Sequence, residues 1–303
     1  MSSTMLQLVQ QASAEMGLAV PTAVASSASN DTIQQLALLN AVGNELARQY
    51  VWQALDKEYR FTTQYLATTG TWTTSAATVT GIPTTAALAA GTWMVLGTGI
   101  PQDTYIQSVD SGTQVTLTNT PTVAGTAATI TFCKTKYAFP SDYDRPVDRT
   151  QWDKSQHWEI IGPETSQQWQ WLKSGFIATG PRLRFRPLGG TFQIWPPIAS
   201  NDQLGFEYIS NGWVTATDGV TVKTFFTVDT DTCIFPDRLM VLGLKLKYFE
   251  IKNFDTTALY RDYLMQLDIA KANDSGSQTL SMAPGLSTVL IDWDNIPDAN
   301  YGS

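Results

Sequence analysis

The feature that most limits what this chain can fold into is a break in its middle. A strand-like stretch, EYRFTTQYL, ends at Leu66, and a second, KYAFPSDYDRP, begins at Lys136. In the second stretch Tyr137 and Phe139 alternate as in a short strand, and Pro140, Ser141 and Asp142 then turn the chain. Between the two, Ala67 to Cys133 carries Asp103 and Asp110 but no Lys or Arg. That segment is Thr, Val, Gly and Ala in short alternating runs, punctuated by GIP, DSG and TNTP. The pattern predicts a small antiparallel β-sandwich, with SAATVTG as its first strand and ATITF as its last. A module whose ends emerge side by side can be inserted at a turn of another fold at small cost, because loop-closure entropy grows slowly with length. The expectation is an inserted unit over 67–133, with the two halves of the interrupted motif pairing across its neck.

The flanks carry helical signals. Met5, Leu8, Val9, Ala12 and Met16 share one face of a helix predicted over 3–18. Asp31 and Gln34 have capping-box spacing and open a second helix predicted over 31–57, with Leu36, Leu39, Val42, Leu46 and Tyr50 inward. Tyr59, Phe61 and Thr63 then alternate as a strand. After the break, 134–235 is expected to be β-rich. RLRFRPLGGTFQIWPP predicts a hairpin turning at Gly189 and Gly190, and DQLGFEYISNGWV a strand. GPETSQQWQWLKSG predicts a short helix with Pro163 near its first position. Helices are predicted over 236–272. Leu239, Leu242, Leu246 and Phe249 point inward in the first, Lys245, Lys247 and Lys252 form its solvated face, and Asp255 caps the second. The fold class expected is α+β: a helical bundle core, a β-rich middle region and the inserted antiparallel β-sandwich. Residues 1–66 and 134–272 make a discontinuous body, and 273–303 an extended tail without a basic residue. Within that tail LSTVLIDW is an apolar knot (Leu286, Val289, Leu290, Ile291, Trp293), a pattern suited to folding on a partner surface.

Composition excludes several function classes. Of 303 residues 43% are hydrophobic and only 15% charged, against roughly 25% charged in an ordinary soluble chain, so the surface is expected to be kept soluble by Ser, Thr, Asn and Gln or covered by a partner. The net charge of −8 argues against binding nucleic acid by phosphate neutralisation. No basic-plus-apolar leader and no apolar run of membrane-spanning length is present, so the expectation is a soluble, unsecreted chain without membrane binding. Cys133 and Cys233 lack metal or redox spacing and are expected as two buried thiols. His157 is the single histidine and has no nucleophile motif to serve, so no catalytic residues and no enzyme are expected. The pairs Asp142/Asp144 and Asp229/Asp231 lack calcium-loop spacing and are expected as turn formers; no metal site or cofactor follows. Trp158, Trp169 and Trp171 gather near the short helix without the interleaved basic residues of a single-strand platform, which favours packing and subunit contact. Arg182, Arg184 and Arg186 alternate on one strand face. Pairing with a neighbouring subunit's carboxylates is expected of them, with contact to DNA backbone as the alternative.

The ordered series of capped helices, YRFTT, YAFPSDYDRP, GPETSQQWQWLKSG, RLRFRP–FQIWPP, FEYISNGWV and FPDRLMVLGLKLKYFEIKNFDTTALYRDYL resembles head-to-tail adaptor (connector) proteins of short-tailed double-stranded DNA bacteriophages. The likeness spans the chain outside 67–133 and the end of the tail; at the insert, members of the family commonly have a short turn. The resemblance implies a dodecameric ring of identical subunits at the head–tail junction of a virion, assembled in the host cytoplasm. It would join the portal protein to tail (nozzle or fibre) proteins and continue the DNA ejection channel. It further implies that 273–303 is the portal-binding segment and that 237–271 belongs to the ring body. An acidic or neutral wall suits non-specific passage of DNA, because like charge removes the counterion-release gain that drives adhesion. The alternative is a tail-associated binding module whose inserted β domain, with Trp72, Trp93 and Tyr105, recognises a virion or host-surface ligand.

Overall fold

The computed structural model describes residues 3–174 and 182–275. Apolar spacing fixes the first helices. In α1 (Met5–Met16) Met5, Leu8, Val9 and Ala12 are buried, and Thr4 closes the start through a capping box with Gln7. In α2 (Asn30–Gln49) Leu39, Val42 and Leu46 are buried. Its cap is Ser29 rather than Asp31, and the Asp31/Gln34 capping box is not formed. The helix also stops at Gln49, short of the expected end at 57. Tyr50 turns extended, and the Trp52 indole N–H donates to the Leu46 carbonyl at 2.7 Å. Trp52 and Leu55 are buried, but outside the helix, Leu55 at the end of a short 3-10 turn over Gln53–Leu55.

Strand β1 (Asp56–Thr62) ends one residue before Thr63, whose N–H and hydroxyl bond to the carbonyls of Asp202 and Ser200 at 2.8 and 2.7 Å. EYRFTTQYL is thus two strands. The second, β2 (Tyr65–Trp72), opens a six-stranded antiparallel sheet with β3 (Thr78–Thr80), β4 (Trp93–Gly97), β5 (Ile106–Ser111), β6 (Gln114–Leu117) and β7 (Gly125–Lys134). The strand order is β4-β7-β2-β3-β6-β5, and its two ends meet. Met94 bridges Tyr105, and the Val95 N–H donates to the Thr104 carbonyl at 2.8 Å. The expected sandwich is therefore a single sheet closed into a barrel around Trp72, Val79, Ile106, Val115, Ile130 and Phe132. Thr/Val alternation specifies strands with one buried face and does not distinguish two stacked sheets from one curled sheet. Gly125 makes room for the Trp72 ring, because a Cβ there would sit 2.5 Å from it.

At the neck Tyr65 pairs with Cys133, and the Lys134 N–H donates to the Gln64 carbonyl at 2.9 Å. The two halves of the interrupted motif do not pair as strands. β8 (Lys136–Ala138) joins another sheet, and the halves meet through the rings of Phe61 and Tyr137, 4.5 Å apart. Next come β9 (Tyr143–Pro146), β10 (Trp152–Asp153), β11 (Trp158–Glu159) and α3 (Ser166–Lys173). The helix is capped by Thr165 and Gln168, not opened by Pro163. The hairpin β12 (Arg184–Leu188) and β13 (Thr191–Trp195) turns at Gly189 and Gly190, both at positive φ as such a two-residue turn requires. β14 (Gln203–Ser210) lies between β1 on one side and β9 and β10 on the other; β13 lies between β12 and β8. These two sheets enclose an aromatic core in which Phe192 stacks on Phe185 and Phe206 at 5.0 and 5.2 Å.

The last sheet is β15 (Val214–Thr215), β16 (Val222–Lys223) and β17 (Thr232–Cys233), followed by α4 (Asp237–Ile251) and α5 (Thr257–Ser275). The Asp255 carboxylate accepts from the Thr257 N–H at 3.0 Å. α4 is buried on most of its circumference by α1, α2 and α5. Lys245 and Lys247, expected on a solvated face, are ion-paired to Glu15 and Glu45 at 2.8 and 2.9 Å. The expectation of a helical bundle core is overturned, because four antiparallel sheets run through the structure and the helices form a layer against them. The core beneath that layer is shared with Ile209, Trp213, Val214, Phe226 and Phe235. Helical periodicity marks which face is covered but not what covers it, and here strands and loops do.

Candidate subunit and partner interface

The expected contact residues separate into two groups. Trp169 is buried with Leu172 against Met94 and Tyr105 of the barrel and Trp195 of β13, so it is an internal joint. The joint is reinforced by Lys173, whose ammonium sits 2.8 Å from Asp103 and 5.2 Å from the Tyr105 ring centroid. Burial depresses the Lys173 pKa, but the hydrogen bonds and electrostatic attraction of Asp103 and Tyr105 together outweigh it and the net shift is upward. Trp171 and Trp158 are about half exposed. Arg184 pairs within the chain with the buried Glu164 carboxylate at 2.6 Å, and Arg186 donates to the Ser166 hydroxyl at 2.7 Å. Those two side chains therefore hold the start of α3, while Arg182 is exposed. The tail residues Leu286, Val289, Leu290, Ile291 and Trp293 lie outside the described residues.

The acidic pairs split up. Asp142 is a clasp: one oxygen accepts from the Tyr208 hydroxyl at 2.9 Å, the other from Lys57 and the Ser210 hydroxyl at 2.7 Å each. Burial pushes its carboxyl upward, but these bonds together hold it below the usual range. Asp144 pairs with Arg48 and Arg145. Asp229 accepts from the N–H groups of Val24 and Ala25, whereas Asp231, fully buried, accepts from Lys223 and the N–H groups of Thr227 and Val228. His157 lies at positive φ between β10 and β11 and is exposed. Among the described residues no group of three or more His, Cys, Asp or Glu is placed to hold a metal ion, and no helix is long and apolar enough to cross a membrane. Trp72, Trp93 and Tyr105 are at most 8% exposed, so none of them offers a ring face as a ligand platform. Cys133 and Cys233 are free, and burial pushes both thiols up to about 12.

The surface that sequence reasoning missed is on the helix layer. Leu259, Tyr263, Leu267 and Ala270 recur at helical spacing in α5, and Leu267 and Ala270 are buried with Tyr263 packed on the core. Yet Tyr260, Leu264, Met265 and Ile269 are 51%, 37%, 57% and 47% exposed, and Ile251 and Phe254 just before them are 55% and 61% exposed. Six large apolar side chains standing in water on one helix and its approach exceed the scattered single exposures normal for a surface. The signal was in ALYRDYLMQLDIAK, which has too many apolar positions for one stripe. Beside this helix lies a groove of about 630 Å³ between α2, α4 and α5, floored by Val42, Leu246, Tyr263 and Leu264 and rimmed by charged residues. No protein-family model matches the chain, and no curated protein matches it.

Proposed function

We propose that this chain is the repeating subunit of a connector ring that joins a phage portal to its tail and continues the channel for DNA. The observation that carries this reading is the apolar exposure on α5 and its approach, a surface that a solitary subunit would have no reason to keep wet. The sequence resemblance supplies the identity of the assembly; the exposed helix supplies a physical need for neighbours. The acid excess, 27 acidic against 19 basic residues, fits a wall past which DNA slides without adhering. Asp142, Asp229 and Asp231 spend their hydrogen-bonding capacity on the fold, which fits a structural role better than a reactive one. The portal-contacting part in this reading is 273–303, and the barrel is carried as an appended module at the joint around Trp169.

The test is to mix the purified chain with portal rings and image the complex. Ring density of this chain on the tail-facing side of the portal is the expected result. Its absence there, or turnover of a substrate by the purified chain, overturns the reading.

A further inference from the structure

α5 does not display its exposed apolar residues as one patch. With about 100° between successive residues, Tyr260 and Leu264 fall beside the inward stripe, on the side where α5 borders the groove. Met265 and Ile269 fall about 140° further round the axis, away from the groove and toward solvent. One helix therefore carries an apolar hollow on one flank and an apolar ridge on the other.

We infer that the Met265/Ile269 ridge of one copy seats in the α2–α4–α5 groove of the next copy. This assignment deepens the connector reading and rests on it for the premise that copies associate. Two features of the surface favour a second copy as the occupant. The hollow is floored by Val42, Leu246 and Leu264, which matches aliphatic side chains of the size the ridge presents. The charges beside each surface are also complementary. Arg261 stands next to the ridge with its side chain 74% exposed, held by an exposed pair with its own neighbour Asp262 at 3.3 Å. Such a pair is weak and readily exchanged. The groove is rimmed by Glu250, by Glu45 in its pair with Lys247 at 2.9 Å, and by Arg48, whose side chain is 75% exposed in its pair with Asp144 at 3.3 Å. Arg261 meets Glu250, and Asp262 meets Arg48 in exchange for its exposed pair, when ridge enters groove. Because ridge and groove are different patches, the contact is head-to-tail, and each copy offers one surface to each neighbour, as ring closure requires.

The test uses two full-length single variants, Met265→Cys and Leu264→Cys, distinguished by a mass tag and mixed at high concentration under mild oxidation. Both sites are exposed, so folding is not at stake, and buried Cys133 and Cys233 stay silent at about pH 8 because their thiolates are scarce. The expected result is a mixed disulfide dimer in excess of either homodimer by about tenfold. Homodimers equal to or exceeding the mixed species would mean a face-to-face contact and overturn the assignment. So would mixed dimer no more abundant than with Val220→Cys, an exposed site elsewhere, in place of Met265→Cys. Portal rings decorated by this chain without the mixed cross-link would sink the ridge-in-groove contact and leave the connector reading standing. The mixed cross-link without portal decoration would do the reverse.

Discussion

The barrel and the helix layer solve the same problem in opposite ways. The barrel turns Trp72, Ile106, Ile130 and Phe132 inward, joins its first and last strands, and leaves only isolated apolar side chains such as Val109 and Val123 in water. The helix layer buries Leu239, Leu244 and Trp213 just as fully but leaves Ile251, Phe254, Tyr260, Leu264, Met265 and Ile269 exposed. Both regions have a fully buried apolar core, so the difference is not one of core burial. It lies in whether the outside is finished, and the unfinished outside is the face that the connector reading assigns to contact. The joint at Trp169 connects a part with few exposed apolar side chains to one that keeps many.

The sharpest way to break this contrast is to empty each core in turn. Trp213 is fully buried, its indole N–H donates to the Asn44 side chain at 2.9 Å, and its ring leaves no room for a Cβ at Gly43. Trp213→Ala should cost about 3–5 kcal/mol in urea unfolding, while hydrogen exchange at barrel amides stays protected. Equal loss of barrel protection would mean that the two regions unfold together. Next in size is the joint. Leu172→Ala should cost about 2 kcal/mol, the low end for such truncations, and should separate barrel and body melting into two transitions. A single unshifted transition would show that the joint carries little.

The clasp at Asp142 comes third. Asp142→Asn should cost about 1–3 kcal/mol near neutral pH by weakening the bonds from Lys57, Tyr208 and Ser210. Because the folded carboxyl titrates below its unfolded value, its contribution is complete above that unfolded value, about 3.9, and is lost as pH falls through the folded one. The variant should therefore show a flatter acid limb in a stability-versus-pH titration. The smallest effect on folding is expected on the finished-versus-unfinished surface itself. Met265→Ser with Ile269→Ser should move the urea midpoint by no more than about 0.5 kcal/mol equivalent, yet reduce the number of copies retained on portal rings. Unchanged retention would remove α5 from the contact.

Much of the local structure was legible because it depends on short-range chemistry. The Gly189–Gly190 hairpin, the Asp255 cap of α5 and the alternating strands of 67–133 follow from turn residues and periodicity within a few positions. What was not legible depends on partners far along the chain. The second helix is expected to run on past Trp52 and Leu55, and nothing local says that the backbone leaves the helix at Tyr50. Tyr137 alternates as a strand residue should, but its strand pairs with β13 rather than with the YRFTT segment that its ring touches. Arg184 and Arg186 look available in sequence, and only the fold shows Glu164 and Ser166 waiting for them. At the candidate site the apolar surplus of α5 was visible in its letters, whereas the groove depends on how α2, α4 and α5 meet.

The meeting of β4 with β5 has a consequence for crowding. An assembly that repeats this chain brings many copies of the Thr- and Val-rich module within reach of one another, and such sequences zip together readily when a strand offers unpaired N–H and carbonyl groups. Here the ladder returns on itself through Met94 and Tyr105, so copies held side by side have few free rungs to grasp. A weakly charged stretch can thus be displayed at high local density and still leave association to the surfaces elsewhere on the chain.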